Sequence, residues 1–398
     1  MFVFNDCSRD SRVLKEAASL SAAGAVVTII ARSAGGLPDL EERPGFTIRR
    51  SAPRGALDLA IRLLRKVSLG VGFVWAVLGW AWSSRRVTPV ADAYHGHDLT
   101  GLLVAWLHAR RRPDARLVYD SHELFLEAGR VASLPAPARR LLARVEGVLA
   151  RRADAVITVN PSIGDELVER YRIEPPVVVM NCPPRWHPDQ PDPPAFDHFR
   201  ESLPIPPEQP IVLYQGGFTA GRGIEPMVRA LARPELRQAA GVFLGYGPLR
   251  EWLIAESQRP GVAGRMYVVD AVPPDELVEW TASADVTGAP IERVNLNHWY
   301  STPNKMFESM AAGVPFVSSD FPERGRIIRE TRAGVLCDPT DDRSVAEAFA
   351  SVLALPAEER LAFRRRCRRA ALERYNWETE AAGLVGLYAD LLGARPAG

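Results

Sequence analysis

The stretch 300–319 (YSTPNKMFESMAAGVPFVSS) contains residues whose types and spacing suit the binding of an anion. Pro303 suits a first helical turn, so a helix is expected to start near Asn304. The amides at its start and the ammonium of Lys305 would present positive potential to a diphosphate. Glu308, one turn later, has the oxygens to accept two hydrogen bonds from a ribose diol. An ordinary capped helix with solvated Lys305 and Glu308 fits the same pattern.

Two glycine-rich segments in the same half of the chain predict close approach of the backbone to a ligand. The first, 214–223 (YQGGFTAGRG), follows an apolar run and precedes a helical pattern, and its Arg222 has the paired donors that clamp a phosphate. The second, 245–248 (GYGP), follows the next apolar run. A single turn of this kind is more often only a tight connection. Because these loops and the 300–319 segment follow strands of one half, they are expected to converge on one crevice.

Histidines follow two predicted strands in the first half of the chain. His97 and Asp98 follow one strand, and His122 follows the other. A buried, satisfied histidine is the alternative for each of them. The segment 10–24 opens with Asp10, a plausible helix cap, and its Arg12 is expected to face either a ligand cleft or solvent.

Short apolar runs alternate with helical patterns along both halves, which predicts an α/β fold with parallel, doubly wound sheets. A proline-dense stretch, 183–210, interrupts this alternation and predicts a linker between two domains. The expected strands are 2–4, 26–31, 46–48, 93–95, 116–119, 155–159, 177–180, 211–214, 241–245, 266–269, 286–289, 314–318 and 334–337.

Length and composition agree with two globular domains. A chain of 398 residues exceeds the size at which a single core keeps growing. Its 49 Lys and Arg nearly balance 48 Asp and Glu, which argues against a nucleic-acid binder. The 4 cysteines are scattered, without zinc-site or disulfide spacing, and fit a reducing cytoplasm. No signal peptide is apparent, and the very short first strand suggests that a few N-terminal residues are missing.

The segment 67–82 (VSLGVGFVWAVLGWAW) is almost wholly apolar. It is shorter than the ~20 residues of a membrane span, so a crossing is not expected. Two interpretations stay open: a buried or dimerising helix, or an interfacial helix that contacts a membrane through residues 62–86. Basic residues flank the segment on both sides, namely Arg62, Arg65, Lys66, Arg85 and Arg86.

Taken in order, several motifs resemble the retaining glycosyltransferases of family 4. They are DSRVLKEAASLSAAG, YDSHELF, RRADAVITVN, QGGFTAGRG, GYGP, ADVTGAPI, PNKMFESMAAGVPFVSSD and YNWETEAAGLVGLY. The resemblance spans nearly the whole chain. It implies the GT-B architecture: Rossmann-like domains at 1–185 and 205–376 that face each other across a cleft, and a helix at 377–398 that crosses back to the first domain.

The resemblance also implies roles for individual residues. Glu308 matches the second glutamate of the family's E-x7-E signature, which holds the nucleotide ribose. Arg222 stands in the place of the phosphate-binding lysine, and His122 matches the histidine near the transferred sugar. Two positions depart from the family pattern, because Tyr300 replaces the first glutamate and Gly217 replaces an arginine. Lys305 is expected to supply the missing positive charge, with Glu292 or Asn297 as sugar contacts. The implied site residues are His122 and Glu308 as catalytic, Gly216, Gly217, Arg222, Gly245, Gly247, Val272, Asn304, Lys305 and Glu308 as donor-binding, and Asp6, Arg12, His97 and Asp98 on the acceptor side.

The activity implied by the resemblance is retaining transfer of a hexosyl or related sugar from a nucleotide-diphosphate sugar, with a UDP-sugar favoured, to a saccharide or lipid-linked acceptor. The sequence contains no Asp-x-Asp pair to hold a metal-bound diphosphate, so neither a metal nor a cofactor is expected. The alternatives are a GT-B-shaped sugar-nucleotide epimerase or hydrolase, and a donor-binding partner subunit without activity. The base, the sugar, the acceptor and the oligomeric state are left open by the sequence.

Overall fold

The computed structural model describes residues 1–53, 69–129, 131–190 and 192–393. The chain divides into two compact units, one formed by Met1–Val179 with Ala381–Gly398 and the other by Met180–Glu380. Residues 180–185, expected at the end of the first domain, therefore belong to the second unit. The last helix begins at Trp377, and from Ala381 onward it is part of the first unit.

The structure describes seven strands in the first unit, and their pairing is almost entirely parallel. The ladders β1-β3-β2 and β4-β5-β6-β7 are connected through Phe2, whose backbone bridges both Ile30 and Gly96. The strand expected at 2–4 is reduced to this bridge. Strand β2 was not predicted; it pairs antiparallel with β3 and is rich in charged, largely exposed residues, as is common at a sheet edge. The strands are β1 (Val27–Arg32), β2 (Leu40–Arg43), β3 (Phe46–Ser51), β4 (Ala93–His97), β5 (Arg116–Ser121), β6 (Ala155–Thr158) and β7 (Val177–Val178).

The helices of the first unit lie between these strands. As predicted, Asp10 caps α1, since its carboxylate accepts a hydrogen bond from the amide of Val13 at 3.3 Å. Within the described residues, no helix is both long and apolar enough to cross a membrane. The helices are α1 (Ser11–Ala22), α2 (Leu69–Ser84), α3 (Asp98–Ala109), α4 (Ala136–Ala150) and α5 (Pro161–Tyr171), and the C-terminal helix α15 (Trp377–Gly393) completes the set.

The second unit has one parallel sheet of six strands in the order β10-β9-β8-β11-β12-β13. Its first strand, β8, is central, and the chain winds outward from it in both directions. The strands are β8 (Ile211–Gly217), β9 (Ala240–Tyr246), β10 (Met266–Asp270), β11 (Val286–Ala289), β12 (Phe316–Ser319) and β13 (Gly334–Cys337). In such a sheet the loops diverge where the order reverses, here between β8 and β11, and this opens a crevice at the carboxyl ends of those strands.

The helices of the second unit cover both faces of its sheet. They are α6 (His198–Ser202), α7 (Ile224–Leu231), α8 (Arg250–Glu256), α9 (Leu277–Ala282), α10 (Leu296–Tyr300), α11 (Asn304–Ala312), α12 (Pro322–Thr331), α13 (Asp342–Leu353) and α14 (Ala357–Glu373). Helix α6 lies inside the stretch 183–210 that was expected to be a linker.

Arg368 of α14 fixes the proline-rich stretch by hydrogen bonds to the backbone. Its guanidinium is buried and donates to four carbonyl oxygens, those of Trp186 at 2.8 Å, His187 at 2.9 Å, Gln190 at 2.7 Å and Ala311 at 2.6 Å. Arg368 thereby helps to hold in place a segment whose prolines cannot form a regular ladder of backbone hydrogen bonds.

Replacing this side chain tests its structural role. We expect Arg368→Ala to leave buried carbonyls unsatisfied and to destabilise the second unit by about 2–4 kcal/mol. Urea unfolding followed by tryptophan fluorescence measures the loss. Arg369→Ala, at the exposed neighbouring position, is the matched control and should change the midpoint little. Equal midpoints for the two variants would contradict the role.

Candidate functional site

The end of β8 and the start of α11 meet at the crevice of the second unit. Helix α11 begins at Asn304, as predicted. The ammonium of Lys305 lies 3.6 Å from the ring centroid of Tyr214 in β8. A Cβ on Gly216 would lie 3.6 Å from the same ammonium, so Lys305 covers this glycine. The two segments singled out in the sequence are therefore neighbours.

Two cations at this crevice have no bound counter-ion. Across the described ranges, neither Arg222 nor Lys305 forms a hydrogen bond or an ion pair, although both side chains are half-buried. Burial lowers the pKa of Lys305 to about 7; Glu308 opposes this shift, and the charge of Arg222 adds to it. Positive charge that is partly desolvated and unpaired favours the binding of an anion.

Arg324 of α12 is a third cation near this crevice, and sequence reasoning did not identify it. Burial lowers its pKa to about 9, with a further contribution from Arg222. Its guanidinium donates to the hydroxyl of Ser301 and to the carbonyl of His298, both at 3.0 Å. Arg324 therefore holds the loop before α11. The contacting residues are far apart in sequence, so no local pattern would reveal the contact.

Glu308 is oriented by a short chain of hydrogen bonds. The side-chain amide of Gln215 in β8 donates to Glu308 Oε2 at 2.7 Å, and the hydroxyl of Thr281 donates to Gln215 Oε1 at 2.5 Å. Gln215 directly precedes the predicted Gly216, yet it was not singled out. The carboxylate is half-buried at the helix surface, in a fixed orientation suited to accepting hydrogen bonds.

The glycines of the two loops have different structural roles. A Cβ on Gly245 would lie 1.9 Å from the carbonyl oxygen of Gly216, and one on Gly247 would lie 2.6 Å from that of Phe218. These two glycines are therefore required for one loop to pack on the other. Among the described residues, a Cβ on Gly217 would come near only the Thr219 hydroxyl, at 3.8 Å, so there is space beside its Cα.

The other residues expected at the donor site occupy varied environments. Asn304 is exposed at the first position of α11. Val272 follows β10 and packs partly buried against the core on one side of the sheet. Tyr300 ends α10 and is half-buried; Asn297 of the same helix is buried, and Glu292 is half-buried.

In the first unit, three of the predicted polar residues, Arg12, His97 and His122, gather around one buried carboxylate, that of Asp120. The parallel register places His97 of β4 beside Asp120 of β5, both at the carboxyl ends of their strands. Arg12 of α1 donates to Asp120 Oδ1 at 2.8 Å and to Oδ2 at 3.1 Å. Burial would raise the pKa of Asp120, but Arg12 and then His122 outweigh it and hold the pKa well below its usual range.

His122 is the partly exposed member of this cluster. Its Nε2 lies 3.1 Å from Asp120 Oδ2, and its backbone amide donates to Asp98 Oδ1 at 3.1 Å. Burial lowers its pKa, but Asp120 and then Asp98 overcome that effect and raise the pKa to about 9. At neutral pH His122 is therefore an imidazolium, which can donate a hydrogen bond or stabilise negative charge and cannot act as a base.

Three further members of the cluster were missed from the sequence. Glu16 lies one helical turn after Arg12, 2.9 Å from its guanidinium. Burial, followed by the charge of Asp120, raises the pKa of Glu16 to about 8. His95 Nδ1 pairs with the hydroxyl of Tyr388 at 2.9 Å, which brings in the C-terminal helix. Only the folded chain brings these residues together.

The cluster also has the composition of a metal site. Glu16, His95, His97 and Asp120 each offer a ligand atom, and these atoms lie within 4.8 Å of one another. Arg12 already provides a cation there, 2.9 Å from one carboxylate and 2.8 Å from the other. The four residues therefore fit a network of charged and polar groups around the guanidinium of Arg12.

The expected orientation of Arg12 was wrong. Its side chain is 4% exposed and also donates to the carbonyl of Val179, so it faces neither a cleft nor solvent. His97 is likewise buried beneath His122. Asp6 accepts from the amide and the hydroxyl of Ser8 and shapes its own loop. Of the residues expected on the acceptor side, Asp98 retains an accessible carboxylate, 31% exposed.

Comparisons with known proteins agree with this arrangement. Residues 10–184 match the profile described as "Glycosyl transferase 4-like domain", and residues 195–374 match "Glycosyl transferases group 1". A D-inositol 3-phosphate glycosyltransferase of Thermobispora bispora is 28% identical over 320 residues, 76% of this chain and 71% of the relative. A glycogen synthase of Mycobacterium tuberculosis is 29% identical over 314 residues, 75% of this chain and 68% of the relative.

Solved structures share the fold along the full length of the chain. Sucrose-phosphate synthase from Thermosynechococcus elongatus superposes with a TM-score of 0.74 at 22% identity, covering 96% of this chain and 93% of the other. Anabaena HepE, solved in complex with UDP and glucose, gives a TM-score of 0.67 at 15% identity, covering 99% and 98%. Both likenesses support the two-domain α/β architecture.

The charge state of His122 can be tested directly. We expect its pKa in the folded chain to be about 9. Asp98→Asn keeps an acceptor for the His122 amide but removes a charge, so it should lower that pKa by about one unit. NMR titration of the imidazole resonances measures both values. Asp114→Asn, at an exposed site before β5, is the control. A wild-type value near 6.5 would contradict the assignment.

Proposed function

Since this chain belongs to the family-4 glycosyltransferases of GT-B architecture, we propose that it transfers a sugar from a nucleotide-diphosphate sugar to an acceptor hydroxyl, with retention of the anomeric configuration. The observation that carries the proposal is the pair of unpaired cations, Arg222 and Lys305, beside the oriented carboxylate of Glu308. In this assignment the cations hold the diphosphate, and Glu308 accepts hydrogen bonds from the ribose diol.

In this mechanism the rate depends on how well the protein stabilises the negative charge that develops on the leaving diphosphate. As the glycosidic C–O bond breaks, negative charge grows on the departing diphosphate. Lys305 and the first amides of α11 already lie beside β8, so they stabilise that charge with little reorganisation, and Arg222 adds a further positive charge there. These groups supply the positive charge that a metal ion would otherwise provide, and we therefore propose metal-independent transfer.

His122 is the residue we assign to contact with the transferred sugar in the first unit. As an imidazolium it donates a hydrogen bond to a sugar oxygen, while Asp120 behind it fixes its ring. The acceptor oxygen attacks from the face that the diphosphate leaves, through an oxocarbenium-like state, and the proton of the acceptor hydroxyl passes to the departing diphosphate oxygen. We assign no nucleophile to the protein.

For the donor we favour a UDP-hexose, and for the acceptor a saccharide or a lipid-linked hydroxyl. The structural similarity to HepE, which was solved with UDP and glucose, supports the donor choice. The named activities of the relatives concern hydroxyl acceptors on small polyols and glucans. All four cysteines are unpaired and buried, which suits the reducing cytoplasm in which we place the protein.

Lys305 gives donor binding a distinctive pH dependence. A nucleotide sugar binds the protonated amine, and the pKa of Lys305 is about 7 before binding. We expect affinity for a UDP-sugar to fall by up to about tenfold for each pH unit above 7, since binding must then take up a proton. Calorimetry between pH 6.5 and 8.5, in buffers of different ionisation enthalpy, measures both the affinity and the proton uptake.

Two variants separate Lys305 from its neighbour. Lys305→Met should weaken binding at pH 6.5 by about 1.5–3 kcal/mol and remove the pH dependence. Arg222→Ala should weaken binding by a similar amount and keep the pH dependence, shifted upward because a neighbouring charge is lost. If both variants bind as tightly as the wild type, neither residue holds phosphate.

Product analysis tests the reaction itself. Thermal-shift screening against nucleotide sugars identifies the donor, because a ligand that binds only the folded state raises the unfolding temperature. Incubation with that donor and an acceptor panel should give a glycosylated product of retained configuration, and His122→Ala should reduce turnover about 100-fold or more. Conversion of donor in the absence of acceptor would indicate an epimerase or hydrolase. Binding without turnover would indicate a silent partner, the alternative raised by Tyr300 and Gly217.

A further inference from the structure

One face of helix α2 packs on the rest of the first unit. Ala76, Val77, Trp80 and Ala81 are buried, and the indole N–H of Trp80 donates to the carbonyl of Ala31 in β1 at 3.2 Å. The Trp80 ring also contacts Phe4, with centroids 5.4 Å apart. These contacts fix the rotation of the helix and so determine which residues point away from the core.

The opposite face is apolar as well, and it is exposed. Val74, Leu78 and Trp82 recur every four residues, so they form one stripe, with Trp75 beside it. Their exposed fractions are 51% for Val74, 45% for Trp75, 43% for Leu78 and 46% for Trp82. Phe73 is 39% exposed but lies nearer the packed face, since its ring contacts Phe4, with centroids 5.6 Å apart. The other four residues form the outer face of α2. A contiguous apolar surface of this kind marks an interaction site.

Arginines lie at the C-terminal end of α2. Arg85 and Arg86 follow α2 and are exposed, and the guanidinium of Arg86 lies 4.8 Å from the ring centroid of Trp82. Ser84 Oγ pairs with Nε2 of His108 at 3.2 Å, which brings the exposed run Arg110–Arg111–Arg112 at the end of α3 to the same end of α2.

One arginine of the described residues, Arg32, lies near the N-terminal part of α2. Arg32 lies 5.1 Å above the Phe4 ring, which is 5.6 Å from the ring of Phe73. Arg62, Arg65 and Lys66, predicted to take part in membrane contact, precede α2 in sequence and lie outside the described residues.

We propose that the outer face of α2 docks flat on an anionic lipid bilayer. Tryptophans that border a charged rim suit the boundary between headgroups and acyl chains, and arginines at that depth meet lipid phosphates. A second copy of this chain fits less well. A two-fold interface through this face would oppose the basic ends of two α2 helices, and like charges placed together disfavour association.

Vesicle co-sedimentation of the full chain tests the proposal. We expect binding to phosphatidylcholine vesicles that contain phosphatidylglycerol, weaker binding to phosphatidylcholine alone, and release by high salt. The double variant Trp75→Ser, Trp82→Ser should lower the affinity for the anionic vesicles at least about tenfold. Arg85→Gln, Arg86→Gln should lower it about thirtyfold, at roughly tenfold for 1.4 kcal/mol and about 1 kcal/mol for each basic residue.

Leu141→Ser is the matched control, because Leu141 is a 62% exposed leucine on α4 of the same unit. Circular dichroism and melting temperature verify that every variant is folded. The proposal is supported if the Leu141→Ser variant still binds anionic vesicles and the tryptophan variant does not. Absence of wild-type binding to anionic vesicles overturns it, as does full binding by the folded tryptophan variant. A dimer seen by light scattering, lost in the tryptophan variant and without vesicle binding, assigns the face to a second copy and also overturns it.

Discussion

A buried carboxylate needs nearby positive charge to stay ionised, and in the first unit this requirement determines the positions of the residues around Asp120. Arg12 from the first helix and His122 from the following loop satisfy it, and His97 lies within hydrogen-bond distance of the same oxygen. Breaking such a network leaves an uncompensated buried charge, which is far more costly than the loss of a surface pair. The carboxyl ends of β4 and β5 and the start of α1 are thereby held in one arrangement, and His122 is presented at its accessible edge.

The arrangement of charge in the second unit is the reverse, because here two cations lack hydrogen-bonded or ionic partners among the described residues. In the described ranges, Arg222 and Lys305 form no hydrogen bond or ion pair beside the end of β8, and the depressed pKa of Lys305 reflects the cost of burying it there. Stabilising contacts are instead placed around the cations: Gln215 holds Glu308, and Arg324 holds the loop before α11. In the first unit the carboxylate of Asp120 is paired with Arg12 and His122, whereas the cations at the crevice of the second unit form an incomplete network. An incomplete network is what a site needs if its counter-charge arrives with the ligand.

Much of the architecture could be predicted from periodicity alone. Alternating apolar runs indicated two doubly wound sheets, and Pro303 placed the start of α11 correctly. Local sequence pattern gave wrong predictions where the contact that positions a residue is made with a partner far away in sequence. Arg12 seemed free because its partner, Asp120, lies 108 positions away. Strand β2 escaped detection because its charged residues suit an exposed edge. The glycine loops were predicted to approach a ligand, whereas Gly245 and Gly247 mainly allow two loops to touch.

The hydrogen bond between Tyr388 and His95 has a consequence for how the protein is made. The first unit consists of the start and the very end of the chain, with all of the second unit synthesised in between. At about 5–20 residues per second, the ribosome needs tens of seconds after β4 emerges to deliver Tyr388. Until then Tyr388 cannot cover the polar cluster, and Nδ1 of His95 lacks its hydrogen-bond partner in the nascent first unit. The first unit therefore acquires its final form only after the whole of the second unit has been synthesised.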